Sequence, residues 1–274
     1  MRNIPAQKIT QAIKTLCIQA NTELTGDVEQ TLKKALKAET SSTGREILEQ
    51  ILENAKIAKR EKLPLCQDCG LVFVFIEIGE EVRISGGSLT KAINDGVKQG
   101  YKEGFLRKST TSDPLTRENP GTNLPAIIHT EIVPGNKLEI TVMTKGGGAE
   151  NCSAIKMFKP TSSQKEIETF IIETVKNNGA NGCPPLIVGV GIGGSFDQAP
   201  LLAKKSLLRK IGSKSKMEKE LLAKINKLGI GPMGLGGRTT ALAVHIKKAP
   251  CHISSLPVAI NIECHAHRVK STTI

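Results

Sequence analysis

Seven cysteines lie in a chain of 274 residues, and several have neighbours of the kinds that do chemistry. Cys66 and Cys69 form a C-x-x-C inside Pro64-Leu-Cys-Gln-Asp-Cys-Gly70. That spacing serves zinc, an iron–sulfur cluster or a redox dithiol. Zinc would want a second paired knuckle, and none is present. A thioredoxin-like pair would follow a strand and open a helix, whereas this one precedes a strand. Gln67 and Asp68 between the thiols add an amide and a carboxylate, which points to acid–base work beside a metal. Cys183 stands before Pro184-Pro185, where a stiff, extended backbone would suit either a fixed ligand or an inert buried thiol. Cys251-His252 and Glu263-Cys264-His265-Ala-His267-Arg268 hold three of the five histidines, in a spacing that fits no zinc-finger frame. An odd number of cysteines argues against a disulfide framework.

Two glycine-rich stretches could serve anions. Lys145-Gly146-Gly147-Gly148 lets backbone N–H groups converge, and its alternative is a flexible turn. Gly189-Val-Gly191-Ile-Gly-Gly194 matches the G-x-G-x-x-G fingerprint. Dinucleotide binding also needs an acidic residue about 20 positions later. Residues 207–216 offer none, so a tight, anion-friendly turn is expected instead.

These residues must be positioned by a mixed framework. The first sixty residues read as helices: Ile9, Ile13, Leu16 and Ile18 lie near one face, Thr25-Gly26-Asp27 starts a second helix, and Ser42-Thr43 starts a third that Pro64 stops. Leu71–Ile78 reads as a buried strand, and residues 87–105 as a helix. Residues 108–125 carry only turn chemistry. Strands at 127–133 and 137–144 are expected to form a hairpin through Pro134-Gly135-Asn136. A helix over 164–177, a strand over 186–190, two Lys-rich helices within 199–228 and strands near 239–247 and 256–263 complete the chain. The pattern predicts an α+β fold in one domain, 1–274, with a helical part (1–62) and a mixed α/β part (63–274).

The formal charge is +12, yet Trp is absent and aromatics make up 3%. Single-strand nucleic-acid binders stack bases on aromatics, so a small anionic substrate and solvated Lys-rich helix faces explain the charge better. No apolar run is long enough to span a bilayer, and the start has no signal-peptide core. A cytoplasmic protein without membrane or nucleic-acid partners is expected.

Taken together, PLCQDCG, GFLRKSTTSDPLTRENPGTNLPA, KGGGAEN, GCPPLIVGVGIGG, GPMGLGGRTTALAV, PCHISSLPVA and NIECHAHR resemble the class I fumarate hydratases and L-tartrate dehydratases. More closely, the chain resembles the separate α subunit of the two-subunit forms. The resemblance spans nearly the whole chain. It implies a [4Fe–4S] cluster on Cys66, Cys183 and Cys264, with one iron left open as a Lewis acid. It implies reversible hydration of a small dicarboxylate, with fumarate and L-malate expected and L-tartrate or mesaconate as alternatives. An iron–sulfur redox or sensor protein is the competing class. By the same resemblance Asp68 is the active-site acid and His252 the histidine paired with it. Gln67, Arg107 and the Gly146, Gly147, Gly148 turn are substrate contacts. Cys69 stands where the family usually has Thr. A β subunit carrying the catalytic base is the implied partner, in a hetero-oligomer.

Overall fold

The computed structural model describes residues 1–274. It contains two compact units, each assembled from separated stretches of chain. The first comprises Met1–Thr25, Asn54–Gly147 and Arg268–Ile274; the second comprises Gly26–Glu53 and Gly148–His267. Helices and mixed sheets together make an α+β fold.

In the first unit, helix α1 (Ala6–Thr22) buries Ile9, Ile13 and Leu16 of the expected stripe, while Ile18 at its edge is only partly buried. It packs on α4 (Leu89–Glu103). The two approach closely because Gly96 and Gly100 of α4 lack side chains: a Cβ on Gly96 would lie 2.7 Å from the Thr10 carbonyl oxygen. Both helices share a core with a four-stranded sheet of order β10-β5-β2-β4. Its strands are β2 (Leu71–Gly79), β4 (Ile127–Val133), β5 (Leu138–Lys145) and β10 (Val269–Thr273). A short parallel pair, β1 (Arg2–Pro5) with β3 (Val82–Ser85), lies apart from it.

The expected hairpin between β4 and β5 is not formed. The apolar β2 takes the central place, parallel to β4 and antiparallel to β5. The connection through Pro134-Gly135-Asn136 instead arches over the end of β2. Gly79 permits this, since a Cβ there would sit 2.3 Å from the Gly135 carbonyl oxygen. The N–H groups of Gly79, Glu80 and Glu81 bond to the carbonyls of Lys137, Val133 and Gly135. A strand apolar on both faces is stabilised more by two neighbours than by one.

The second unit holds a sheet of order β6-β9-β7-β8. It comprises β6 (Ala154–Phe158), β7 (Leu186–Gly194), β8 (Ala241–Cys251) and β9 (Leu256–Glu263). Helices α6 (Gln164–Asn178) and α8 (Lys216–Asn226) each start on a serine capping box. They bury Ile167, Ile171, Val175, Leu221 and Ile225 in one core with this sheet. Helix α7 (Gln198–Ser206) packs against β7 and β9. Helices α2 (Gly26–Ala38) and α3 (Ser42–Glu61) begin where their capping signals place them.

The G-x-G-x-x-G stretch is strand, not turn. Gly189, Gly191 and Gly194 belong to β7, and a Cβ on Gly191 would lie 2.1 Å from the Ala199 carbonyl oxygen of α7. The glycines let a helix lie directly on the strand, which consumes the feature that suggested an anion turn. The strands β1, β3, β6 and β10 escape sequence reading because each is four or five residues long and none carries a clear period-2 pattern.

Candidate active site

The loop Cys66–Gly70 precedes β2 in the first unit, and its carboxylate is surrounded by donors. Asp68 Oδ1 accepts the Gly70 N–H at 2.9 Å and the Ser109 hydroxyl at 3.1 Å. Asp68 Oδ2 accepts the Gly147 N–H at 2.7 Å. Gly147 opens the short helix α5 (Gly147–Asn151) directly after β5. Gly146 packs tightly here: a Cβ would press on Arg268 Nη2 at 3.1 Å and Asp68 Oδ2 at 3.3 Å. Burial pushes the Asp68 carboxyl up, but the Gly147 and Gly70 N–H groups, the Ser109 hydroxyl and the Arg268 charge outweigh it. The group is held below the usual carboxylate range and is ionised at neutral pH.

The rest of the loop is tied down from below. Gly70 has φ +73°, and a Cβ would fall 2.5 Å from the Lys145 carbonyl oxygen, so only glycine can follow Cys69 here. The Tyr101 hydroxyl, fully buried, donates to the Cys69 carbonyl at 2.6 Å. Asn123 Nδ2 donates to the Gly70 carbonyl, while its Oδ1 receives the N–H groups of Ser109 and Thr110. One buried asparagine thus fastens the segment expected to be pure loop, 108–125, to the C-x-x-C segment.

The two thiols of the motif differ. Cys69 is 1% exposed and its sulfur receives the Arg107 N–H at 3.2 Å. Burial raises its pKa, with the charges of Cys66 and Asp68 adding to the rise against the Arg107 N–H and Arg268. Cys66 is half-buried, and its sulfur receives the Asp68 N–H at 3.4 Å. Gln67 and Arg107 are exposed.

The other candidates belong to the second unit. Cys183 ends a 3₁₀ turn with φ 55° and ψ 65°. It is left-handed rather than extended, correcting the expectation drawn from the two prolines. Its carbonyl receives the N–H of His265 at 3.3 Å and meets His265 Nδ1 at 3.0 Å. Since Ile187 of β7 pairs with Glu263 of β9, the strand register brings Cys183 and Cys264 to the same end of the sheet. Both are half-buried. His252 is exposed on the turn after β8, where its Nδ1 receives the Ser254 N–H at 3.1 Å. It lines an open cleft of about 470 Å³ with Ser195, Phe196 and Cys251.

The structure therefore joins Asp68 and Gly147 by a hydrogen bond, with Gly146 packed against the same carboxylate, and joins Cys183 with the Cys264 segment. Ser109 and Arg268 join the Asp68 group without having been singled out. Both lie inside stretches that carry the family resemblance, but a lone Ser or Arg announces no role until its carboxylate partner is visible.

A model of the fumarate hydratase (fumerase) family matches residues 10–273. The chain belongs to that family. It is 45% identical over 273 residues to a protein of Methanocaldococcus jannaschii named "Putative L(+)-tartrate dehydratase subunit alpha", covering 95% of each chain. It is 32% identical over 271 residues to the L(+)-tartrate dehydratase subunit alpha of Escherichia coli K12, covering 95% of this chain and 89% of the relative. The same subunit from E. coli strain UTI89 is 31% identical over 270 residues. Membership of the fumarate hydratase and tartrate dehydratase α family makes this chain a hydro-lyase component. No helix in it is long and apolar enough to cross a membrane.

Proposed function

We propose that the chain is the α subunit of a hydro-lyase that moves water reversibly between a four-carbon 2-hydroxy dicarboxylate and its dehydrated product. The observation that carries this reading is the Asp68 carboxylate, ionised and fixed by three donors beside the half-buried thiol of Cys66.

Cys66, Cys183 and Cys264 fit a [4Fe–4S] group by the chemistry of their donors. Each thiol is half-buried, whereas Cys17, Cys69 and Cys152 are buried. Burial pushes the Cys17 thiol up to about 12, and Cys152 Sγ is engaged with the carbonyls of Gly148 and Asn178. A thiol that keeps its proton is a poor ligand, which favours Cys66 over Cys69. When bound through three thiolates, such a group supplies a Lewis acid that makes hydroxide a better leaving group. The chain's own residues supply the rest. Asp68, as carboxylate, holds a hydrogen of the departing or attacking water. We propose His252 as the second acid–base group, the histidine that the resemblance assigns to this carboxylate. Arg107 forks onto one substrate carboxylate, Gln67 holds a second oxygen, and the Gly146, Gly147, Gly148 turn borders the same anion. The relatives' designation as α subunits supports a partner subunit, and we propose that this β subunit carries the catalytic base.

For the substrate, the relatives' names favour L(+)-tartrate, and the family model's description supports fumarate and L-malate as the second reading. The deciding experiment is anaerobic reconstitution of the chain with its β subunit, then kcat/KM on L-tartrate, L-malate, fumarate and mesaconate. Tartrate turnover at least tenfold above malate is the expected result. No turnover of any of the four would overturn the hydro-lyase reading for this pair.

A further inference from the structure

Arg268 is the bulkiest of the fully buried side chains, at 1% exposure, and its place in the first unit is specific. Its Nη1 donates to the Asp68 backbone carbonyl and, at 3.3 Å, to Asn21 Oδ1. Asn21, itself 0% exposed near the end of α1, receives the Leu65 N–H on its own carbonyl at 2.7 Å. Asn54 Nδ2 donates to the Leu65 carbonyl at 2.9 Å. Tyr101 takes the Cys69 carbonyl and Asn123 the Gly70 carbonyl. The carbonyls of Leu65, Asp68, Cys69 and Gly70 are therefore each held by a side chain from elsewhere in the unit. Three of the four holders are neutral; Arg268 alone is charged. Burying a guanidinium costs several kcal/mol unless it is paired, and here its partners are the loop carbonyl and the Asp68 carboxylate charge. A neutral donor could hold that carbonyl without this cost, so the cation marks a demand for precision in the loop beyond filling the core.

We infer that Arg268 is the positioning residue of the Cys66–Cys69 segment, fixing its backbone so that Cys66 faces the cluster and Asp68 the substrate. This rests on the ligand reading above and adds a residue to it. The Arg268 carbonyl also receives the Thr144 N–H at 3.0 Å, just ahead of β10. The same residue is thereby fixed to β5, which leads directly into Gly146 and Gly147, on the other side of the Asp68 carboxylate.

The test uses the whole chain and reads the loop apart from catalysis. In the cluster-free protein, Cys69 should be labelled by iodoacetamide about tenfold faster in Arg268→Met than in wild type, the opening expected when a charged hydrogen bond is lost. Far-UV circular dichroism should be retained. Arg209→Met, which removes a partly buried, ion-paired arginine of the second unit, should leave Cys69 labelling unchanged. After anaerobic addition of iron and sulfide, Arg268→Met should bind less iron and give a broadened EPR signal, and Arg268→Lys should recover part of both. Wild-type Cys69 protection and wild-type line shape in a folded Arg268→Met chain would overturn the inference. Should that variant not fold, amide exchange in the wild type decides. The Leu65, Asp68 and Gly70 amides should be protected, and exchange at unfolded-peptide rates would overturn it. A wild-type chain that takes up no cluster would instead sink the ligand reading, while the labelling comparison still settles the role of Arg268.

Discussion

The hydroxyl of Ser109 donates to Asp68 Oδ1 at 3.1 Å, on the same oxygen that receives the Gly70 N–H. Two donors on one oxygen and the Gly147 N–H on the other leave few free lone pairs on this carboxylate. Its direction is set before any substrate arrives. A hydrogen bond to a charged group is worth about 1.5 kcal/mol, and that amount is about tenfold in rate. Ser109→Ala in the reconstituted pair should therefore lower kcat about tenfold with iron content unchanged, and Ser109→Thr should keep most of the activity. Steady-state kinetics with an iron count on the same sample checks it. Wild-type kcat in the alanine variant would remove Ser109 from the site.

Asp68 itself should matter far more. Asp68→Asn keeps the size of the side chain and removes the charge that four groups favour. The expected loss in kcat is about 10²- to 10⁴-fold, the range for a lost acid–base group. If His252 acts through Asp68, the His252→Asn and Asp68→Asn losses should not add, and the double variant should resemble the worse single one. Multiplied losses would show that the two work independently.

How far the site was legible in advance differs between residues, for physical reasons. The apolar stripe of α1 and the Ser42 start of α3 are local signals, and α1, α3 and α6 all lie close to where the sequence places helices. Asp68 could be singled out because a carboxylate between two thiols is unusual. Its partners Ser109, Gly147 and Arg268 lie 41, 79 and 200 positions away, and nothing local records which residues meet across a fold. The misread hairpin has the same origin. Pro134-Gly135-Asn136 is good turn chemistry, but whether a turn joins neighbours or arches over a third strand depends on Gly79, more than fifty positions upstream. Gly191 shows the converse: a motif that reads as a ligand loop is used for close packing of α7 on β7.

The thiols supply a test of the ligand set that needs no turnover. Cys251 is exposed, Cys66, Cys183 and Cys264 are half-buried, and Cys17, Cys69 and Cys152 are buried. In cluster-free chain at pH 8, mass spectrometry should find Cys251 alkylated first, the half-buried three next, and Cys17 last, since its thiol is pushed up to about 12. After anaerobic reconstitution, Cys66, Cys183 and Cys264 should become protected while Cys251 stays reactive. Protection of Cys251, or continued labelling of Cys66, would break the proposed ligand set.

Acid should weaken the second unit through His245. Its side chain is 0% exposed on β8, with Nδ1 against the Ser206 carbonyl at 3.1 Å and Nε2 buried without a partner. Burial is the main cause that lowers its pKa from 6.5 to about 4; the Arg209 and His267 charges lower it further, while Glu218 and the Ser206 carbonyl oppose them. The folded state therefore resists a proton that the unfolded chain accepts. The stability this gives is fully present above about pH 6.5 and is lost progressively as pH falls toward about 4. At about 1.4 kcal/mol per tenfold in proton affinity, the most it can cost is about 3 kcal/mol. Urea unfolding between pH 7.5 and 4.5 should show the midpoint falling across that window. His245→Gln, which cannot take up a proton, should flatten this part of the profile while lowering stability at pH 7.5. An unaltered slope in the glutamine variant would place the acid sensitivity on other groups.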